Sequence, residues 1–158
     1  MARVSKDTGV GLLAYGVLAG GFLGSKYLGQ DPPAMHNRSL AKYRMIIEEA
    51  GGWQAFQHLL ALLAEIGKRH DVPAELVAAR WVIDRPMVSA IILGIGRRSR
   101  AAANVRLAEL SLDPQDRQRL KEWTEQYPPP GGDMYDLERE EGGPHVRLIK
   151  TDLQGVTA

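Results

Sequence analysis

The sequence predicts an α/β protein with parallel strands, and three observations carry that prediction. Two short apolar runs, Val10 to Tyr15 and Val88 to Leu93, have the composition of buried strands, and each breaks at its C-terminal end into a glycine-rich loop. Helix-patterned segments lie between the runs. A connection of that length returns the chain to the same sheet as a crossover, so the strands lie parallel. Further helical patterning follows the second run, completing a strand, loop, helix order repeated twice. A sheet of two parallel strands has both edges unpaired and closes no core by itself, so the sequence reads as a piece of a larger sheet.

Each element has its own local reason. Gly16 to Gly29 is glycine-rich, and a polar loop through Asp31, Pro32 and Pro33 follows it. Leu40 to Ala50 has helical spacing and is stopped by Gly51 and Gly52. Trp53, Phe56, Leu60, Leu63 and Gly67 share one helical face, with Leu59, Leu62 and Ile66 beside it, which predicts an amphipathic helix to about His70. Pro73 fits the first turn of the next helix, which carries Leu76, Val77, Trp81 and Val82 and ends before Pro86. A short helix is expected from about Arg100 to Leu110. Asp113 caps another, with Pro114 at its first position, ending near Tyr127. The tail from residue 128 to 158 has turn composition with alternating charge and reads as an ordered loop or a flexible end. Residues 1–127 form the structured unit.

Composition narrows the function classes. The chain has 158 residues, 44% hydrophobic and 25% charged, with 20 Lys and Arg against 19 Asp and Glu, the profile of an ordinary globular protein. A net charge of +1 creates no field that would recruit nucleic acid or a membrane surface. There is no cysteine, which excludes disulfide scaffolds, thiolate metal sites and a cysteine nucleophile, and fits the cytoplasm. The uncharged stretch Gly9 to Gly24 is 16 residues long and contains six glycines. It is too short and too glycine-rich for a spanning helix, which needs about 20 apolar residues.

The glycine-rich loops are the chemical candidates. Glycine lets a backbone approach a phosphate closely and turn its N–H groups toward it, and a following helix N-terminus adds a positive dipole end. Beside the second loop stand Arg97, Arg98 and Arg100, able to hold a phosphate bidentately or simply to be solvated. A dinucleotide fingerprint of the G-x-G-x-x-G type fits poorly: Gly94 and Gly96 supply two glycines, Ser99 takes the third place, and Asp113 and Asp116 open a helix instead of ending a strand. The four histidines, His36, His58, His70 and His145, are isolated in sequence, and no metal site is expected from them.

Three linked segments carry a resemblance to a known family. LLAYGVLAGGFLGSKYLG is similar to the stretch around the seventh barrel strand of aldo-keto reductases, commonly LxxYSPLxxGxLxxKY. HDVPAELVAARWVIDRPMVSAIILGIG resembles their next crossover helix and eighth strand. Gly94 to Asn104, followed by LSLDPQDRQRL, resembles their adenosine-binding loop, eighth helix and final accessory helix. The similarity spans about residues 9–125. The resemblance implies the C-terminal part of a (β/α)8 TIM barrel, carrying the last two strands and their helices, and NADPH as cofactor, with NADH as the alternative.

By position, the resemblance assigns Tyr15 to stacking on the nicotinamide, and Gly16, Val17, Leu18, Ala19 and Gly20 to the loop around the pyrophosphate. Lys26 is the lysine reaching the phosphates. Gly94 and Gly96 meet the adenosine phosphate, Arg100 flanks the adenine and 2′-phosphate, and Asn104 reads the adenine edge. Gly16 and Val17 replace the usual Ser-Pro, removing a side-chain hydroxyl, and Ala103 replaces the usual Glu. The family's catalytic Asp, Tyr, Lys and His belong to earlier strands and match no position here, so no catalytic residue is nominated. Three functions follow as expectations: an NADPH-dependent carbonyl oxidoreductase represented by its cofactor-binding part, a non-catalytic nucleotide-binding module that self-associates through its strand edges, or a truncated remnant. A small carbonyl substrate is expected only for the first, on completion by the missing half.

Overall fold

The computed structural model describes residues 2–35, 38–94, 98–131 and 134–148. Strands β1 (Leu12–Ala14) and β2 (Val88–Ile91) pair in parallel, Leu12 opposite Val88, Leu13 opposite Ala90 and Ala14 opposite Ile91, with one irregular step after Leu12. Both strands are shorter than the apolar runs that predict them. The pairing extends only by single bonds at each end, from Leu12 N–H to Met87 O at 2.8 Å and from Ile92 N–H to Ala14 O at 2.8 Å.

The crossover consists of α2 (Arg38–Glu49), α3 (Gly52–Arg69) and α4 (Ala74–Ile83); α5 (Arg98–Glu109) and α6 (Pro114–Gln126) follow β2. Gly51 and Gly52 adopt φ of +99° and +79°, which explains why glycine ends one helix and begins the next. Pro73 stands one residue earlier than the sequence suggests, as the extended N-cap of α4. The cap of α6 forms as expected: Asp116 N–H donates to Asp113 Oδ1 at 2.7 Å, and Asp113 N–H donates back to Asp116 Oδ2 at 3.4 Å. A helix the sequence reading does not anticipate, α1 (Ala2–Thr8), precedes β1; it has no apolar stripe to betray it, and its Ser5 hydroxyl donates to Val10 O at 2.5 Å.

Among the described residues three apolar clusters build the core. Leu63 and Ile66 of α3 pack on Ala74, Val77 and Ala78 of α4, with Leu112 and Leu120 closing from α6 and the segment before it. Leu76 and Ala79 of α4 meet Leu107 and Leu110, with Ile91 and Leu93 packed against them, so the helices cover one face of the sheet. Phe22, Ile47, Phe56 and Leu60 form the third. Phe22 is fully buried, its ring 5.0 Å from Tyr27, 6.1 Å from Trp53 and 6.3 Å from Phe56. Each such side chain stabilises the fold by about 1.5–3 kcal/mol through burial alone. The glycine-rich loop is therefore nailed to the core at its midpoint. On the other sheet face Leu13, Tyr15 and Ile92 stand 62%, 81% and 55% exposed.

Of the two readings of the tail, its described residues fit the ordered one. They form α7 (Met134–Leu137) and a 3-10 turn at Val146–Leu148 that packs on α2. Glu138 pairs with Lys42, and buried His145 sets its Nε2 at 3.0 Å from both carboxylate oxygens of Glu49. His145 is thus not isolated, as its sequence neighbours imply.

Candidate functional site

The site starts from the turn that follows β1. Gly16, Ala19, Gly20 and Gly21 all have positive φ, between 49° and 95°, coiling the chain tightly. Inside the coil, Ala19 N–H donates to Gly16 O at 2.8 Å, Gly21 N–H to Leu18 O at 2.8 Å, and Phe22 N–H to Ala19 O at 3.1 Å. Among the described residues the N–H groups of Val17 and Leu18 have no such acceptor. Farther along, Gln57 of α3 accepts from Gly29 N–H at 2.7 Å and donates to Tyr27 O at 3.0 Å, while Trp53 Nε1–H donates to Gln30 O at 2.9 Å. The loop is held at its middle by Phe22 and at its exit by α3, and the Val17 and Leu18 N–H groups are among those with no acceptor among the described residues.

Two adjoining concavities of about 300 Å³ each open along this segment. The first is lined by Gly16, Val17, Leu18 and Gly20 from the loop, Gly94 after β2, and Ser39 and Tyr43 from α2. The second shares Leu18, Gly20 and Gly94 and adds Lys26, Glu75, Ala103 and Asn104. The two concavities share Leu18, Gly20, Gly21 and Gly94 and so adjoin at the C-terminal ends of the parallel strands, the edge where α/β proteins seat ligands.

Most of the nominated residues meet there. Gly16, Val17, Leu18, Gly20 and Gly94 line the first concavity, and Lys26 and Asn104 line the second. Tyr15 and Ala19 line neither: Tyr15 projects from the end of β1 largely exposed, and Ala19 packs beside the Phe22 cluster. Gly96 and the side chain of Arg100 lie outside the described residues, although the backbone of Arg100 belongs to the first turn of α5.

The cleft also contains residues that sequence reasoning missed. Ser39 and Tyr43 sit one helical turn apart on α2, and Glu75 sits in the first turn of α4 with its Oε2 buried and unpartnered among the described residues. The i, i+4 spacing of Ser39 and Tyr43 was visible. That this face of α2 closes on the loop is decided by tertiary packing.

Elsewhere His70, Asp113 and Asp116 bring their ligand atoms within 4.8 Å of one another. Their capacity is spent on the chain itself. Asp116, fully buried, accepts from His70 Nε2 at 2.6 Å and from Asp113 N–H, and pairs with Arg69. His70 is therefore a partner in a helix-capping ion network, and nearby the exposed Arg106 pairs with Asp71 Oδ2 at 3.1 Å on the surface.

Fold and site together define an α/β protein with a glycine-lined, donor-rich cleft at the C-terminal ends of its parallel strands. The family model described as the Aldo/keto reductase family matches residues 1–125, and the chain belongs to that family. The match begins eight residues before the region of resemblance and takes in α1. Members of this family generally use NAD(P)H. Among curated proteins the chain is similar to the "Uncharacterized oxidoreductase YrpG" of Bacillus subtilis, 27% identical over 132 residues, covering 82% of this chain and 36% of that protein. It is 29% identical over 113 residues to "Protein tas" of Escherichia coli, covering 71% of this chain and 31% of that one. A stretch of 81 residues, 48% of the chain, is 37% identical to "Flagellar radial spoke protein 5" of Chlamydomonas reinhardtii, covering 15% of it. The chain thus spans about a third or less of the length of these relatives. Among the described residues no helix is long and apolar enough to cross a membrane.

Proposed function

We propose that this chain provides the dinucleotide-binding part of an aldo-keto-reductase-type oxidoreductase, with NADPH extended along the cleft. The observation that supports this reading is that adjoining concavities lie between the Gly16–Gly20 turn and Gly94 at the ends of the two parallel strands, in a chain of this family. The groove fits the group: N–H donors at Val17 and Leu18 are unspent, Gly16 and Gly20 admit close backbone approach, and Lys26 brings a cation to the wall. When bound, the cofactor supplies hydride to a carbonyl carbon.

In this reading the chain's own residues bind and orient. Val17 and Leu18 N–H groups and Lys26 neutralise the pyrophosphate, and Asn104 reads the adenine edge. Arg100, together with the segment through Gly96, holds the 2′-phosphate. Tyr15, exposed at the end of β1, offers its ring face to the nicotinamide. The buried Oε2 of Glu75 accepts from a sugar hydroxyl in the second concavity. The proton for the reduced oxygen comes from no residue assigned here, so turnover requires polypeptide carrying the earlier barrel strands. Residues 1–127 are then the last part of the barrel and 128–158 its tail, in a cytoplasmic enzyme.

Titration with NADPH and NADH, followed by nucleotide fluorescence, tests the assignment. Replacing Arg100 with Gln is expected to cost about 1–3 kcal/mol, the scale of one charge-assisted contact, chiefly for NADPH. Equal losses with both nucleotides remove Arg100 from the 2′-phosphate, and no saturable binding of either removes the proposal.

A second reading rests on the exposed apolar sheet face of Leu13, Tyr15 and Ile92 and the unpaired edges of β1 and β2. In it the chain is a non-catalytic module that pairs with a second copy while keeping the nucleotide cleft. A concentration-independent monomer by sedimentation excludes that reading.

A further inference from the structure

Tyr43 does two jobs that its place on α2 separates. Its ring belongs to the cluster around Phe22, with Leu40 and Ile47 of the same helix, and so has a fixed position. Its hydroxyl extends past that cluster to the glycine loop. An ideal Cβ at Gly16 would collide with the Tyr43 hydroxyl oxygen, and one at Gly20 would lie 2.9 Å from its Cδ2. Positive φ favours glycine at both positions, and a Cβ at either would in addition displace this tyrosine. The hydroxyl lines the first concavity with Ser39 one turn earlier, and no intramolecular hydrogen bond uses it among the described residues.

We infer that Tyr43 is a ligand-binding residue: its hydroxyl, seconded by Ser39, donates to the pyrophosphate of a dinucleotide lying on the Gly16–Leu18 turn. This rests on the dinucleotide reading above and adds a side-chain donor from the crossover to a site otherwise made of loop backbone and Lys26. The chemistry is that of an anion cradle. Val17 and Leu18, whose N–H groups have no acceptor among the described residues, line the same concavity as Tyr43 and Ser39. A tyrosine hydroxyl suits the task because a packed ring fixes the donor, so little rotational freedom is lost when the bond forms.

The test uses Tyr43→Phe, which keeps the ring and its packing and removes only the donor. Wild-type and variant chains are titrated with NADPH, with inorganic pyrophosphate and with adenosine 2′-monophosphate, which has no pyrophosphate. The expected result is about ten-fold weaker binding of NADPH and pyrophosphate by the variant, from loss of a hydrogen bond to a charged group. Adenosine 2′-monophosphate binding and the unfolding temperature should be unchanged. Ser39→Ala, at the start of α2 and outside the core clusters, should show a smaller loss with the same ligand selectivity. If wild type binds NADPH and Tyr43→Phe binds it equally well, the inference fails while the dinucleotide site stands. If affinity falls equally for all three ligands, Tyr43 serves only packing and the inference fails again. Absence of NADPH binding by wild type overturns both readings together.

Discussion

Gly67 sets helix propensity against packing at one buried position. In the last turn of α3, replacing it with alanine should stabilise the helix by about 1 kcal/mol if propensity alone decided. The structure predicts the opposite. A Cβ at Gly67 would lie 2.5 Å from the carbonyl oxygen of Val72 and 3.4 Å from the backbone of Pro73 and Ala74. That backbone cannot drift freely, because Val72 N–H donates to Gly67 O at 2.9 Å, and Ala74 is buried in the α3–α4 core. Reaching ordinary contact requires the α3–α4 turn to open by about 1 Å, and forced overpacking of this kind costs about 1–3 kcal/mol. Because the clash is with a held backbone oxygen, the cost falls in the upper part of that range, about 2–3 kcal/mol, and less the propensity gain of about 1 kcal/mol leaves a net loss of about 1–2 kcal/mol. That corresponds to a fall in Tm of about 3–6 °C for a chain of this size. Thermal unfolding followed by circular dichroism measures it, with Gly131→Ala as control, where an added Cβ meets nothing within 4 Å. Because Pro73, Glu75 and Leu76 follow the same turn into the cleft, NADPH affinity should fall as well. An unchanged or raised Tm for Gly67→Ala would refute the steric argument.

Asp116 is fully buried and joins Arg69, His70 and the cap of α6, so Asp116→Ala should destabilise by about 3–5 kcal/mol, the scale for breaking a buried charge network, as read from urea unfolding. The bidentate pair of Arg119 with Glu65, at 2.8 and 2.7 Å, ties α6 to α3, and the hydrogen bond from Arg119 lowers the Glu65 pKa. A depressed carboxylate stabilises the fold above its unfolded pKa, about 4.3, and loses that effect as pH falls through the folded value. Wild type should therefore exceed Glu65→Gln in Tm at neutral pH, with the gap closing in acid and shrinking in high salt; a gap independent of pH would contradict the assignment.

Local chemistry determined much of this protein. Helical spacing and helix-end residues placed α2 to α6, and the Asp113–Pro114 cap was legible because N-cap chemistry is confined to four adjacent residues. The glycine-rich turns announced a cleft at two strand ends, because glycine permits the positive φ found at Gly16 and Gly20. What the chain could not disclose by itself depends on residues distant in sequence. Phe22 looked like one apolar residue in a loop, yet it anchors that loop among Tyr27, Trp53 and Phe56. Tyr43 and Glu75 read as ordinary helical positions until α2 and α4 were folded against the turn. His70 and His145 gained carboxylate partners 46 and 96 residues away. Hydrogen-bond geometry within a turn is written in a few neighbouring side chains, whereas which faces meet is set by burying the whole apolar surface at once, and only the assembled helices decide that.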